Sequence, residues 1–194
     1  MQPLFKSPHA ALTFAYSKRH GYERPLMNRM GAASNPGNGL GGLDGAGQAG
    51  LIRAEVQRLG ELREALVIAR FAPRIFPCSC KSACCKGYRP NREWQAAITT
   101  IAEHARNTAL ADCNTTPDMR YAYVERVYMR KDARKNLENL AKDLDVNVKT
   151  IWKHAKHVRD WLAGTRGKGG VPGMEDAAIN AIYETLINSG LCER

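Results

Sequence analysis

Four cysteines crowd into eight positions. The segment from 77 to 90 reads PCSCKSACCKGYRP and places thiols at Cys78, Cys80, Cys84 and Cys85. Thiolates this close together can surround one tetrahedral Zn²⁺ from a single short loop. Gly87 and the flanking prolines permit sharp turns, and Lys81, Lys86 and Arg89 offset thiolate charge. The spacing C-x-C-x3-C-C is not that of a standard finger or ribbon, and adjacent cysteines reach one metal only through a tight turn. The expected ligand set for one structural zinc is Cys78, Cys80, Cys84 and Cys85, with Cys113 or His104 as a remote alternative ligand. Free thiols are the plain alternative. A redox centre is disfavoured because the C-x-x-C spacing is missing.

The second chemically loaded stretch is LENLAKDLDVNVKTIWKHAKHVRDWL, residues 137–162. Leu137, Leu140, Ala141 and Leu144 recur at helical spacing, so they predict one buried helix face. Asp145-Val146-Asn147 breaks the pattern. Asp tolerates the left-handed conformation that a tight turn between helices needs. Val146 plugs the space between the helices, and Asn147 is a good N-cap for the second helix. In that helix Ile151, Ala155 and Val158 turn inward, while Lys149, Lys153 and Lys156 form the outer face with Thr150, Trp152 and His157 on its flanks. A short helix with a basic outer face, entered through a capped turn, predicts a DNA-binding helix-turn-helix. Its early residues would meet base edges in the major groove of double-stranded DNA. Basic residues before it, Arg134 and Lys135 among them, would neutralise phosphates. An ordinary helical hairpin with a solvated lysine face is the competing reading.

No catalytic constellation accompanies these features. There is no Gly-Ser nucleophile elbow and no His-Glu metal helix, and the H-x-E and P-C-x-x-C pattern of zinc deaminases is absent. A cysteine-only zinc site is closed to substrate. The chain is therefore not expected to be an enzyme.

Charge agrees with an anionic partner. The 194 residues carry a net +10 with a pI near 9.5. Residues 114–173 hold 13 basic against 7 acidic side chains, whereas residues 174–194 hold 1 against 4. No apolar run approaches the ~20 residues of a membrane span. The first residues lack the order of a signal peptide, so a cytoplasmic location is expected. Disulfides are then not expected from the six cysteines.

The elements that must carry these sites read as mainly α, a helical bundle. Residues 1–50 are expected to be a basic N-terminal arm, with Phe14, Tyr16 and Tyr22 beside Lys18 and Arg19, followed by a glycine-rich loop. Eight of the twenty residues from 31 to 50 are Gly. Two literal G-x-G-x-x-G matches there are discounted because no strand precedes them. Residues 51–117 form a helical region around the cysteine loop: one helix over 51–71, weakened by Gly60 and stopped by Pro73, and another over 91–113, capped by Asn91. Residues 118–173 hold a short helix, with Arg120, Arg126, Arg130 and Lys131 extending the basic surface, then the helix-turn-helix and a basic loop. Residues 174–194 give a last amphipathic helix that Gly190 stops.

Segments along the chain also carry a resemblance: KSPHAALTFAYSKRH, MNRMGAA, GLGGLDGAGQAG, RFAP, PCSCKSACC with KGYRPNREW, and TALADC. Together they resemble small DNA-binding proteins of bacteriophages and prophages. The order of cysteines ahead of a basic helix-turn-helix is similar to the Q late-gene antiterminators of lambdoid phages, although their paired C-x-x-C spacing is missing. The stretch 137–162 is similar to the fourth region of sigma factors. The resemblance implies a sequence-specific regulator of phage transcription, with late-gene antitermination and bacterial RNA polymerase as its specific form and partner. A zinc-stabilised protein-interaction module and a recombination accessory protein are the alternatives. The sequence leaves the oligomeric state open.

Overall fold

A computed structural model of the chain describes residues 4–17, 43–78, 80, 85–165 and 169–193. Eight α-helices and one small hairpin make up these residues. In order they are α1 (Pro8–Ser17), α2 (Leu43–Gln57), α3 (Glu61–Phe71), β1 (Ile75–Pro77), β2 (Tyr88–Pro90), α4 (Arg92–Arg106), α5 (Pro117–Tyr128), α6 (Leu137–Asp143), α7 (Val148–Ala163) and α8 (Met174–Asn188). A short 3-10 turn, Lys131–Ala133, precedes α6.

The core is organised around α3. Five consecutive residues, Ala65 to Ala69, are buried, so this helix is covered on every side over its middle turns. It packs on α1, α2, α4 and α8. Helix α4 offers a one-sided stripe of Trp94, Ala97, Ile98, Ile101, Ala102 and Ala105. The Trp94 indole N–H donates to the Ala69 carbonyl at 3.1 Å and locks the two helices in register. Asn91 caps α4 by accepting from the Glu93 N–H, and its amide donates to the Pro73 carbonyl at 2.7 Å. That one buried side chain fixes both ends of the segment carrying the β-hairpin.

Four expectations are corrected. The N-terminal arm contains a core helix: Ala11, Leu12, Ala15 and Tyr16 of α1 are buried, and Tyr16 packs beneath the Arg53 guanidinium rather than facing a nucleic acid. The glycine-rich run is helical from Leu43 onward, so Gly45, Gly47 and Gly50 lie inside α2 and form no phosphate loop. Ala49, Ile52 and Val56 are buried at helical spacing, and that packing outweighs the roughly 1 kcal/mol each glycine costs a helix. The other match, Gly37-Gly39-Gly42, lies outside the described residues, as do Lys18, Arg19 and Tyr22. The single helix expected over 51–71 is two helices, because Gly60 takes φ 87°, which only glycine adopts without strain. Likewise α4 stops at Arg106, and residues 107–113 are turns folded back so that Leu110 is buried.

The ends of the described chain meet. Phe5 forms a parallel bridge with Cys192, through Phe5 N–H to Leu191 O and Glu193 N–H to Phe5 O, both 3.1 Å. Helix α8 then lies against α1, α2, α3 and α7, with Ala178, Ile182 and Leu186 fully buried. Among the described residues no helix is long and apolar enough to cross a membrane.

Candidate nucleic-acid face and cysteine cluster

Helices α6 and α7 are joined by a turn held by side-chain caps and by backbone hydrogen bonds. Asn136 caps α6, its side chain accepting from Asn139 N–H at 2.7 Å. At the other end Val146 N–H reaches back to Ala141 O (3.0 Å) and Asp145 N–H to Lys142 O (3.3 Å). This is the paired arrangement that closes a helix through one left-handed residue. That residue is Asp145, at φ 51°, the one non-glycine with positive φ among the described residues. Val146 packs against the core, and Asn147 caps α7 by accepting from Lys149 N–H at 2.9 Å.

The outer face of α7 is therefore set by local chemistry on one side and burial on the other. Ile151, His154, Val158 and Leu162 face inward. Lys149, Lys153 and Lys156 are exposed, as is His157, while Thr150 is half-buried. Trp152 keeps 60% of its surface exposed. Among the described residues none of the three lysines makes an ion pair with a carboxylate. Their charge adds to the positive end of the helix dipole at Asn147. Asp160, paired with Arg159 at 2.9 Å, ends the basic stripe one turn further on.

Two residues expected to touch phosphates hold the protein together instead. The Arg134 guanidinium donates to the carbonyls of Met129 (2.7 Å) and Val127 (3.0 Å), capping the end of α5. The Lys135 ammonium sits 2.8 Å from Asp143, and this carboxylate raises its pKa. Arg120, read as basic surface, is buried. It donates to Thr115 O at 2.8 Å and pairs with Glu103 at 3.2 Å.

Sequence reasoning also missed His154, placing Ala155 in the interior. Its ring meets Tyr123 edge-on, with the Tyr123 hydroxyl 3.4 Å from Nδ1. Burial, with smaller contributions from His157 and Lys153, holds this imidazole below its usual range. Its spacing from Ile151 and Val158 was the available signal. A polar type at an inward position hid it.

The cysteine loop hangs from the hairpin β1–β2, paired as Ile75 with Pro90, Phe76 with Arg89 and Pro77 with Tyr88. Cys78 N–H continues the ladder to Gly87 O at 2.9 Å. The ladder brings the two ends of the loop together, and with them Cys78, Cys80 and Cys85, whose sulfurs all lie within 4.8 Å of one another. Around a Zn²⁺ at about 2.3 Å, tetrahedral sulfurs are about 3.8 Å apart, so a shift of about an ångström would bring them to ligating distance. Gly87 N–H points at Cys85 Sγ at 3.4 Å, a bond that steadies a thiolate. A backbone hydrogen bond from Cys80 favours the Cys78 thiolate, but the neighbouring Cys80 and Cys85 thiols outweigh it and push the Cys78 pKa up. A cation at the centre would reverse that balance. The three thiols could thus hold a metal ion. Cys84 lies outside the described residues. The remote alternatives are not part of this cluster: His104 faces Glu61 at 3.8 Å, and Cys113 lies in the turns after α4, beside Arg106 and Asn114.

Comparison with known protein families, curated proteins and solved structures finds no significant match to this chain.

Proposed function

We propose that this chain is a sequence-specific DNA-binding protein that presents the N-terminal half of α7 to the major groove of duplex DNA. The reading rests on one observation: Lys149, Lys153 and Lys156 share an exposed face of a helix whose entry is fixed by Asp145 and capped by Asn147. In this reading Asp145 and Asn147 make the pair α6–α7 a helix-turn-helix. Lys149, Thr150 and Lys153 approach base edges. Lys156 and His157 reach phosphates. Trp152 flanks the contact. Arg134 and Lys135 act indirectly, Arg134 by capping the end of α5 and Lys135 by pairing with Asp143 at the end of α6.

The metal in this reading is a single structural zinc on Cys78, Cys80 and Cys85, with Cys84 the first choice for the fourth position. Thiolates select Zn²⁺ over hard cations. When bound, the ion supplies cross-linking of a loop whose described residues, Cys78, Cys80, Cys85 and Lys86, are none of them buried. The resemblance to phage DNA-binding proteins extends the proposal to regulation of phage transcription inside a bacterial cell, with antitermination and RNA polymerase contact as its specific form.

Selection from a random duplex library, followed by gel shift of the enriched sequence, tests the reading. Enrichment of a consensus, with binding abolished in Lys153→Glu while the circular dichroism stays unchanged, is the expected outcome. Wild-type affinity in Lys153→Glu at moderate salt would displace the contact from α7. Co-purification with an acidic protein, with no affinity for any duplex, would favour the interaction-module alternative.

A further inference from the structure

A groove of about 600 Å³ runs along the flank of α7 that carries Trp152, away from Thr150 and His157. Its α7 wall is Trp152, Ala155, Lys156 and Arg159. The facing wall comes from α5 and the start of α6, with Arg126 and Arg134 above an apolar floor of Val127 and Leu137. Arg70 and Glu175, ion-paired at 3.5 Å, complete the lining. Five cations line the groove, of which Arg70 is paired with Glu175 and Arg159 with Asp160.

The other three charges, on Arg126, Arg134 and Lys156, have no carboxylate partner among the described residues. Arg126 donates to the Lys135 carbonyl, and Arg134 to the carbonyls of Val127 and Met129. These partners are neutral, so they orient the guanidinium groups without cancelling their charge. Lys156 forms no ion pair among the described residues. Burial chiefly, and repulsion from the neighbouring Arg134 to a lesser degree, disfavour the charged form of Arg126. An anion in the groove would relieve that repulsion.

We propose that this groove binds a single strand of nucleic acid, with a base stacked on Trp152 and its phosphates on Arg126, Lys156 and Arg159. Size, surface and charge favour this ligand. A groove of 600 Å³ is on the scale of a small-ligand site, too narrow for a duplex and suited to a nucleotide unit. The exposed indole offers a π-face at the lip, and base–aromatic stacking contributes about 1–3 kcal/mol per base. Val127 and Leu137 accept a base or sugar while Arg126 and Arg159 take phosphate through charge-assisted hydrogen bonds. An acidic peptide would satisfy the charges and leave the indole without a partner. The site adjoins the duplex face: Lys149 and Lys153 do not line it, whereas Trp152 and Lys156 lie where the two meet. A protein with both surfaces could hold a duplex and a strand displaced beside it.

The full chain is titrated with a short oligothymidylate, a blunt duplex of equal length and a poly-glutamate peptide, following tryptophan emission. The oligothymidylate should quench the emission and bind more tightly than the peptide. Trp152→Ala and Arg159→Gln should each weaken it roughly tenfold or more, and Trp152→Phe should remove the quench while restoring most of the affinity that Trp152→Ala loses. Lys153→Glu should reduce duplex affinity far more than oligothymidylate affinity. Strand binding without duplex binding would sustain this site and remove the α7 duplex reading. Equal affinity for poly-glutamate, no quench, or equal losses for both nucleic acids in Lys153→Glu would overturn it.

Discussion

Asp145 and Asn147 do their work within a few residues of themselves, and that is why both are readable from the chain. A left-handed residue closing a helix and an amide capping the next are contacts between a side chain and nearby backbone. His154 and Arg120 are the opposite case. Each is polar, each is buried, and each is held by a partner distant in sequence: Tyr123 for His154, Glu103 for Arg120. Nothing in local spacing announces such a partner. His154 carries a pH signature. Burial holds its pKa below the unfolded value near 6.5, so below that pH the unfolded chain takes up the proton first. Stability should therefore be complete above pH ~6.5, fall as pH drops through that value, and level off once the folded form is protonated too. Denaturant titrations at pH 7.5 and 5.5 read this directly. His154→Phe should flatten the slope, and an unchanged slope would mean the imidazole is not the titrating group.

Among the elements, amphipathic helices with one clear stripe were legible: α4, α5, α7 and α8 all begin within a residue of where their apolar spacing predicts, although α4 stops at Arg106, short of the expected 113. Helices α1 and α2 were hidden by composition. Proline, aromatics and glycine suggested loop for α1 and for α2 before Leu51, whereas these segments are helices packed on each other and on α3 and α8. The hairpin β1–β2 was hidden as well, since three-residue strands show no period. Two predictions belong here. Gly173, at the start of α8, has no room for a side chain: an added Cβ would press on Leu162 O and lie 2.5 Å from Gly164 N. Both obstacles are backbone, so Gly173→Ala must separate α7 from α8. It should cost about 3 kcal/mol, the upper range for overpacking, read as a lower denaturant midpoint. A variant within a few tenths of wild type would show that this junction is pliable. The second concerns the loop on the hairpin. Protein purified without added metal should hold about one Zn per chain. Cys78→Ser should lose most of it with little change in helical signal, because α4 is anchored separately by Asn91 and Trp94. Absence of metal, with every thiol titrating freely, would exclude the site.

Across the whole molecule the helices form one body whose ends are pinned together at Phe5 and Cys192. That closure positions α8 behind α7 and leaves the basic face of α7 pointing away from the core. Of the acids in the C-terminal segment only Glu175 is partly buried, while Asp176, Glu184 and Glu193 are exposed, and the excess of basic residues lies in the rest of the chain. The central claim is that three lysines of one helix meet phosphate and base on a duplex. Fluorescence anisotropy of a labelled duplex, repeated over a series of salt concentrations, measures it most directly. Wild-type affinity should fall linearly on a log–log plot. Replacing Lys149, Lys153 and Lys156 with Gln should make that slope shallower by about 0.9 for each lysine that neutralises a phosphate. A slope unchanged by all three substitutions, or a wild-type protein that binds no duplex at low salt, would contradict the account.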